Sequence, residues 1–303
     1  MKKLLIYHID SAAEDQTVEE FLRAQGYSRQ LIVHLRKTEL GITINNHLAY
    51  TTHRLHAGEL LKIQLIEAES SENIVPVPMD LDIVYEDEDL LVINKAANVP
   101  IHPSQGNFDC TLANGIAWYY QQKEEPFVYR AINRLDRDTT GLLILARHQL
   151  SASLLSQMVQ KREIHRQYLA VADGILTESG TITAPIARVD GSAIERCVDE
   201  LHGEYACTHY QPVHWNYTKQ CSLISLKLET GRTHQIRVHM KHIGHPLLGD
   251  FLYHPDYRFI RRQSLHSHRL SFVHPLTRQQ MQFEAPLPAD MQFVYDDSYD
   301  KNC

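Results

Sequence analysis

The sequence has no long apolar run and few cysteines, and these two absences exclude whole classes of protein. No stretch of about 18 apolar residues suggests a membrane-spanning helix, and the N-terminal MKKLLIYHID is too short for a secretory signal peptide. The cysteines (Cys110, Cys197, Cys207, Cys221 and Cys303) are odd in number and form no Cys-x-x-Cys pair. We therefore expect a cytoplasmic protein with reduced thiols, without disulfides or a zinc ribbon.

The sequence also lacks an excess of positive charge. Its formal net charge is −7. Nucleic-acid binding needs Lys and Arg to neutralise phosphates, so this total would argue against it. The distribution of the charge changes that interpretation. Residues 1–90 carry 8 Lys/Arg against 16 Asp/Glu, whereas residues 130–169 carry 7 against 3 and residues 227–269 carry 8 against 3. The basic charge is concentrated in two later blocks, which also hold the candidate chemistry.

The length of 303 residues allows two domains. We predict a small domain over residues 1–67, a polar, proline-containing linker over 68–80, a larger domain over 81–289 and an acidic tail over 290–303.

The small domain has a helix–helix–strand–turn–strand pattern. An amphipathic stretch over residues 18–22 precedes a helix that Ser28 caps and Gly41 ends, and strands follow at 42–44 and 60–65. This pattern resembles the alpha-L RNA-binding fold, which a ribosomal small-subunit protein shares, although Asn46 stands where the family usually has glycine. The resemblance implies that Arg29, Arg36 and Lys37 contact RNA. A small acidic accessory domain is the alternative.

The larger domain has more predicted strands than helices. An apolar hairpin covers residues 83–93, and apolar or alternating runs occur at 142–146, 168–172, 222–228 and 270–273. Helical spacing links Leu150 to Met158 and Ile236 to Ile243. Because strands and helices do not alternate strictly, we predict an α+β fold with a mixed, largely antiparallel sheet.

Asp136 lies on the approach to the buried run at 142–146, between Arg134 and Arg137. Neighbouring guanidinium groups favour an ionised carboxylate, which a nucleophile or base requires. On this local pattern alone, an aspartate in a surface ion-pair cluster is the commoner interpretation.

A second segment, residues 228–250, combines a strand, a turn at Gly231 and a short helix that Thr233 could cap. Arg237 would stand near the start of this helix, where phosphates and carboxylates bind well. His239, His242 and His245 recur every three residues, which raises the alternative of a metal-dependent hydrolase. Gly244 and Pro246 end the helix before His245, and no cysteine or carboxylate has a familiar ligand spacing, so we expect no metal.

Both segments resemble motifs of the RluA/RluD-type pseudouridine synthases. Residues 131–147 are similar to the family's His-Arg-Leu-Asp-x-x-Thr-Ser-Gly signature, and Gly231–Asp250 matches its Gly-Arg-Thr-His-Gln-Ile-Arg-Val-His motif almost letter for letter. Three weaker blocks, in the order that the family has, lie at Asn94–Pro103, Arg166–Ala170 and Leu265–Pro275. Several ordered blocks are stronger evidence than any single motif. The likeness spans about residues 83–286.

The resemblance implies an isomerase that converts uridine to pseudouridine in structured RNA without a cofactor. Asp136 matches the catalytic aspartate, Tyr168 the tyrosine that stacks on the base and Arg237 the arginine that pairs with the aspartate. Arg134 matches the arginine that fills the gap left by the flipped nucleotide. Further RNA contacts are expected from Arg137, Lys95, His102 and Arg232. We expect a monomer that acts on ribosomal RNA in preference to transfer RNA.

Four positions depart from the family pattern. Asn133 replaces the usual His, Thr140 replaces Ser, and Ala96 and Asn98 replace Pro and Gly. Asparagine tolerates left-handed backbone, so the turn at Asn98 can survive. The departures leave a second hypothesis open, in which an inactive paralogue binds RNA as a ribosome-assembly factor. Intact Asp136, Tyr168 and Arg237 speak against it, although Tyr168 alone could be an ordinary core aromatic.

Overall fold

The computed structural model describes residues 1–104 and 106–297, which form two units built on a four-stranded and a nine-stranded β-sheet, with a separate two-stranded sheet in the second unit. The elements of the first unit are β1 (Lys2–His8), α1 (Val18–Ala24), α2 (Arg29–Lys37), β2 (Ile42–Ile44), β3 (His47–Leu48) and β4 (Leu60–Ile66). Its four strands are antiparallel in the order β1-β4-β2-β3. The two helices pack on this sheet through their buried apolar residues.

The local signals explain most of the first unit. Ser28 caps α2, as predicted, because its hydroxyl accepts a hydrogen bond from the Leu31 amide at 3.2 Å. The prediction that Gly41 ends this helix was wrong: the chain already becomes extended at Thr38. Strand β1 was not predicted, yet it pairs with β4 along its whole length.

The second unit is built on a larger sheet. Its elements are β5 (Ile83–Glu86), β6 (Leu90–Lys95), α3 (Leu112–Gln122), β7 (Thr140–Ala146), α4 (Gln149–Gln160), β8 (His165–Asp173), β9 (Gly180–Thr183), β10 (Ile186–Arg188), β11 (Arg196–Val198), β12 (Cys207–Asn216), β13 (Cys221–Leu228), α5 (Gln235–His242), β14 (Leu265–Val273) and β15 (Gln280–Glu284). Nine strands of the described chain form the sheet in the order β5-β6-β7-β14-β8-β13-β12-β9, with β15 on β14. Within the described residues only β7 and β14 pair in parallel. The predicted α+β fold with a mixed, largely antiparallel sheet is confirmed.

Strand β7 lies at the centre of the second unit. All its residues are buried because apolar clusters cover both faces of the sheet. Helices α3 and α5 contribute to the cluster on one face, and α4 contributes to the other. A strand with both faces buried has a continuous apolar run, which is why the sequence revealed it.

Helix α4 also carries the contact between the two units. The Gly26 carbonyl accepts hydrogen bonds from Ser153 at 2.8 Å and from Gln157 at 3.0 Å. Leu150 is part of the first unit's core. The segment at 68–80 runs along the second unit, where Ser70 accepts a hydrogen bond from the Phe127 amide at 3.1 Å. The first unit therefore packs against α4.

Much of the segment predicted as an acidic tail is packed structure. Ala289–Tyr295 forms a 3-10 helix whose Met291 and Val294 are fully buried in the cluster that includes β13. Residues 298–303, which include Cys303, lie outside the described residues. In the described part of the chain, no helix has the length and apolar character needed to cross a membrane.

Candidate active site

The loop before β7 presents Asp136 at the edge of the sheet. The Asn133 side-chain oxygen accepts a hydrogen bond from the Ile144 amide at 2.9 Å, and the Thr139 amide donates to the Asp136 carbonyl at 3.1 Å. Gly141 has φ +106°, and a Cβ there would overlap the Ser267 backbone on β14. Only glycine fits this close approach, so the loop is held tightly against the sheet.

Arg237, on the first turn of α5, joins two carboxylates. Its Nε and Nη2 donate to the two oxygens of Asp250 at 2.6 and 2.7 Å, and its Nη1 donates to Asp136 Oδ2 at 2.9 Å. Burial alone would lower the pKa of Arg237, but the hydrogen bonds and charges of Asp250 and Asp136 raise it above its usual value. The planar fork of arginine can hold both carboxylates at once. The sequence did not single out Asp250.

His234 is a second neighbour of Asp136 that the sequence did not single out. Its Nε2 lies 3.8 Å from Asp136 Oδ2, and its Nδ1 lies 2.9 Å from the Tyr253 hydroxyl. Burial lowers the pKa of His234. His234 adopts a left-handed conformation with φ +59° and is itself the N-cap residue of α5, which begins at Gln235, with no capping hydrogen bond from a described side chain. The predicted cap at Thr233 was therefore wrong.

Tyr168 lies on β8, between β13 and β14, and forms part of the wall of the cleft that contains Asp136. It is 4% exposed and also belongs to the main apolar cluster. The tyrosine thus contributes to both the core and the cleft surface. The two sequence interpretations of this residue are compatible.

The cleft, about 860 Å³ in volume, collects much of the positive charge of the later chain. Among the described residues, two acidic ones line it, Asp136 and Glu229. Its Lys and Arg residues are Arg134, Arg162, Arg166, Lys227, Arg232, Arg237 and Arg269. The chain therefore carries a basic cleft despite its net charge of −7.

The predicted RNA contacts near Asp136 differ in their surroundings. Arg134 is exposed and lines the cleft. Arg232 also lines it, but its guanidinium pairs with Glu204. Arg137 is exposed and pairs with Asp138 at 3.0 Å, so its carboxylate partner is not Asp136.

Lys95 and His102 come from the Asn94–Pro103 block. Lys95 is 2% exposed, and its Nζ donates to the carbonyls of Ala96 at 2.7 Å and Arg137 at 2.8 Å. Burial lowers the pKa of Lys95 to about 7. In this fold Lys95 braces the loop that carries Asp136 and is not open to a phosphate. His102 is exposed, and partial burial of its ring and the charge of Arg134 lower its pKa.

The remaining predicted RNA contacts lie in the first unit. Arg29, Arg36 and Lys37 are on α2, where all three are exposed, and they are not part of the cleft. Asn98, which replaces the family's glycine, has φ +59°, as its tolerance of left-handed backbone allows.

The three histidines spaced three apart do not converge. His239 is buried and hydrogen-bonds to Thr208 and to the Ala184 carbonyl, both at 2.9 Å. His245 hydrogen-bonds to the Asp173 carbonyl at 2.8 Å. No group that could hold a metal among the described residues contains His239, His242 or His245. The hydrolase alternative loses the feature on which it rested.

Known proteins with similar sequences place this geometry in context. Residues 89–242 match the family described as RNA pseudouridylate synthase. A Bacillus subtilis protein named uncharacterized RNA pseudouridine synthase YjbO is 41% identical over 276 residues, which cover 91% of this chain and 96% of that protein. The Haemophilus influenzae ribosomal large subunit pseudouridine synthase D is 37% identical over 295 residues, covering 91% and 88%.

A solved structure supports the same fold. The human RNA pseudouridylate synthase domain containing 1 superimposes with a TM-score of 0.58 at 28% identity. The match covers 68% of this chain and 83% of the human chain.

Proposed function

This chain belongs to the RNA pseudouridylate synthase family and is an RNA pseudouridine synthase, and we propose that Asp136 is its catalytic carboxylate. Tyr168 and Arg237 complete the proposed site. The observation that carries the proposal is the 2.9 Å ion pair between Arg237 and Asp136 in a cleft whose charged lining residues are mainly cationic. RNA supplies the opposite charge for this cleft.

The reaction transfers the ribose from nitrogen 1 to carbon 5 of the same uracil. One glycosidic bond breaks, one carbon–carbon bond forms and the proton on carbon 5 moves to nitrogen 1, so no oxidant or group donor is consumed. A carboxylate beside the ribose can attack the anomeric carbon or take the proton from the neighbouring carbon. Either role needs a fixed oxygen atom, and Arg237, itself held by Asp250, fixes Asp136.

Tyr168 and Arg134 are the residues we propose to handle the flipped nucleotide. The target uracil must leave its stack, which costs a few kcal/mol. Arg134 is exposed at the cleft and can hold the vacated space, while Tyr168 offers an aromatic surface in the cleft wall. The other cations of the cleft would contact the phosphates on either side.

We propose ribosomal RNA as the substrate. Support comes from the Haemophilus influenzae relative, whose name assigns it to the large ribosomal subunit and which is aligned over 91% of this chain. The cations on α2 provide a second basic surface for a large structured RNA. We also propose that the protein works as a cytoplasmic monomer, since one chain supplies Asp136, Tyr168 and Arg237 and its four described cysteines are unpaired.

Mapping pseudouridines in total RNA tests both the catalyst and the substrate. Cells that lack the gene receive the wild type, Asp136→Asn or the control Asp190→Asn, which alters an exposed aspartate outside the cleft. We expect large-subunit sites to appear with the wild type and the control but not with Asp136→Asn. The Asp136→Asn protein should still bind the RNA.

Each outcome separates one part of the proposal. Modification by Asp136→Asn at the wild-type level would remove Asp136 from the catalytic role. Modification confined to transfer RNA would contradict the proposed ribosomal substrate but not the proposed role of Asp136.

A further inference from the structure

Three clusters among the described residues bring together side chains that could hold a metal ion, and two of them have features that weaken a metal site. The three residues of the cluster Glu14, Asp15 and His56 are all exposed to solvent. The cluster of Asp87, Asp89 and His274 already contains the ammonium of Lys3, which pairs with Asp89 and opposes a cation.

The third cluster, Cys207, His209 and Glu229, combines sulfur, nitrogen and oxygen ligands, and the sheet positions them. Cys207 and His209 are two residues apart on β12, so their side chains share one face. Glu229 follows β13, and its amide donates to the Cys207 carbonyl at 3.1 Å. His209 Nε2 lies 2.9 Å from Glu229 Oε1 and 3.9 Å from Cys207 Sγ. The three ligand atoms lie within 4.8 Å of one another.

Two threonines on β9 support the ligands from the next strand. Thr181 lies opposite His209 and Thr183 lies opposite Cys207. The Thr181 hydroxyl is 2.8 Å from His209 Nδ1, and the Thr183 hydroxyl donates to Cys207 Sγ at 3.8 Å. When Nδ1–H donates to Thr181, Nε2 is left unprotonated toward Cys207 and Glu229. Metal-binding histidines are commonly oriented by such a partner on the other ring nitrogen.

We propose that Cys207 Sγ, His209 Nε2 and Glu229 Oε1 form a binding site for a zinc-class divalent cation at the rim of the RNA cleft. Tetrahedral zinc would place its sulfur and nitrogen ligands about 3.6 Å apart. The observed separation of 3.9 Å therefore needs only a small closure. Glu229 lines the cleft, and its other oxygen pairs at 3.3 Å with Arg162. The Arg162 side chain is 59% exposed and can turn into solvent when a cation binds, whereas Lys3 in the rejected cluster is enclosed at 14% exposure. A water molecule can complete the coordination.

Cobalt is the direct probe, because Co²⁺ takes tetrahedral zinc sites and a thiolate ligand gives a charge-transfer band. Untagged full-length protein is stripped with a chelator, kept reduced with a phosphine and titrated with Co²⁺, and Zn²⁺ is then added. We expect a single equivalent to bind, with thiolate charge-transfer and tetrahedral visible bands that Zn²⁺ removes. Cys207→Ser should lose the charge-transfer band, and Thr181→Ala should bind about 10-fold more weakly.

Matched variants separate this site from adventitious binding. Cys110→Ser removes an exposed thiol outside the cluster and should leave the titration unchanged. His209→Ala changes a partly exposed residue, so circular dichroism can verify its fold while the metal bands disappear. Absence of the bands from the wild type, or the same charge-transfer band in Cys207→Ser, would overturn the site.

Discussion

Two regions of the molecule pair opposite charges through a buried side chain, but they differ in how exposed the partners of that side chain are. In the cleft, the Arg237 side chain is 2% exposed and holds Asp250 at 0% and Asp136 at 29% exposure. At the contact between the two units, the Asp89 side chain is 7% exposed and holds Lys3 at 14% and His148 at 0%. The first network is open at one carboxylate, whereas these three members of the second are largely enclosed.

This difference separates a reactive group from a structural one. Breaking a buried ion pair is costly because it leaves a charge without its partner. At the contact between the units, the Asp89 network therefore contributes only to the stability of the fold. In the cleft, the Asp250 half of the network is closed and orients Arg237, which leaves Asp136 accessible for chemistry. Exposure of one partner, more than pairing itself, distinguishes the two regions.

The strongest test of this difference replaces the fork in the cleft with a point charge. Arg237→Lys keeps the positive charge but cannot hold Asp136 and Asp250 together. We expect kcat to fall about 100-fold because Asp136 loses its fixed position. RNA affinity should change little. Single-turnover pseudouridine formation and filter binding on the same RNA measure the two quantities.

Arg269→Lys is the matched control for this experiment. Arg269 also lines the cleft, but its carboxylate partner at 2.8 Å is the exposed Glu284. Its kcat should stay close to that of the wild type. A wild-type rate in Arg237→Lys would show that the fork does not position the catalyst.

At the contact between the units we expect a smaller effect, which is a loss of folding stability and not of activity. Asp89→Asn keeps a hydrogen-bonding side chain but removes the negative charge beside Lys3, and we expect the free energy of unfolding to fall by about 2 kcal/mol. Glu88→Gln alters the preceding residue, whose side chain is 84% exposed and lies 3.5 Å from Lys3. That control should cost less than about 1 kcal/mol. Equal losses in urea denaturation would mean that burial does not separate the two interactions.

The sequence revealed features that depend on local pattern and missed those that depend on distant contacts. Strand β7 was predicted because burial on both faces produces an apolar run. Helix α3 was missed because Asn114 and Gly115 interrupt its pattern. In the fold, Asn114 donates to the Val75 carbonyl at 2.8 Å and Gly115 packs against Met79.

The candidate site shows the same division. Ordered motifs pointed to Asp136 and Arg237, which the fold brings within 2.9 Å. The resemblance also suggested Lys95 as an RNA contact, but side-chain burial cannot be inferred from a motif, and the fold encloses this residue. The role of Asp250 depends on a bend of the chain after α5 that brings it back to Arg237.

The smallest effect is expected for a substitution among the cations of α2, which the contact between the two units holds in position. Gly26 precedes α2 and is hydrogen-bonded to α4, whose end and following residues, including Val159 and Arg162, line the cleft. The cations of α2 therefore keep a fixed position relative to the cleft. Such charges contribute to affinity through phosphates and do not take part in the chemical step.

We expect Arg36→Ala to weaken RNA binding about threefold and to reduce the slope of log affinity against log salt by about 1. The kcat should not change, because Arg36 lies outside the cleft. Lys62→Ala is the control, since Lys62 lies on β4 of the same unit and donates to Asn46 at 2.7 Å. Binding isotherms at several salt concentrations measure the slope. An unchanged slope in Arg36→Ala would show that RNA does not reach α2, and the cleft alone would then account for binding.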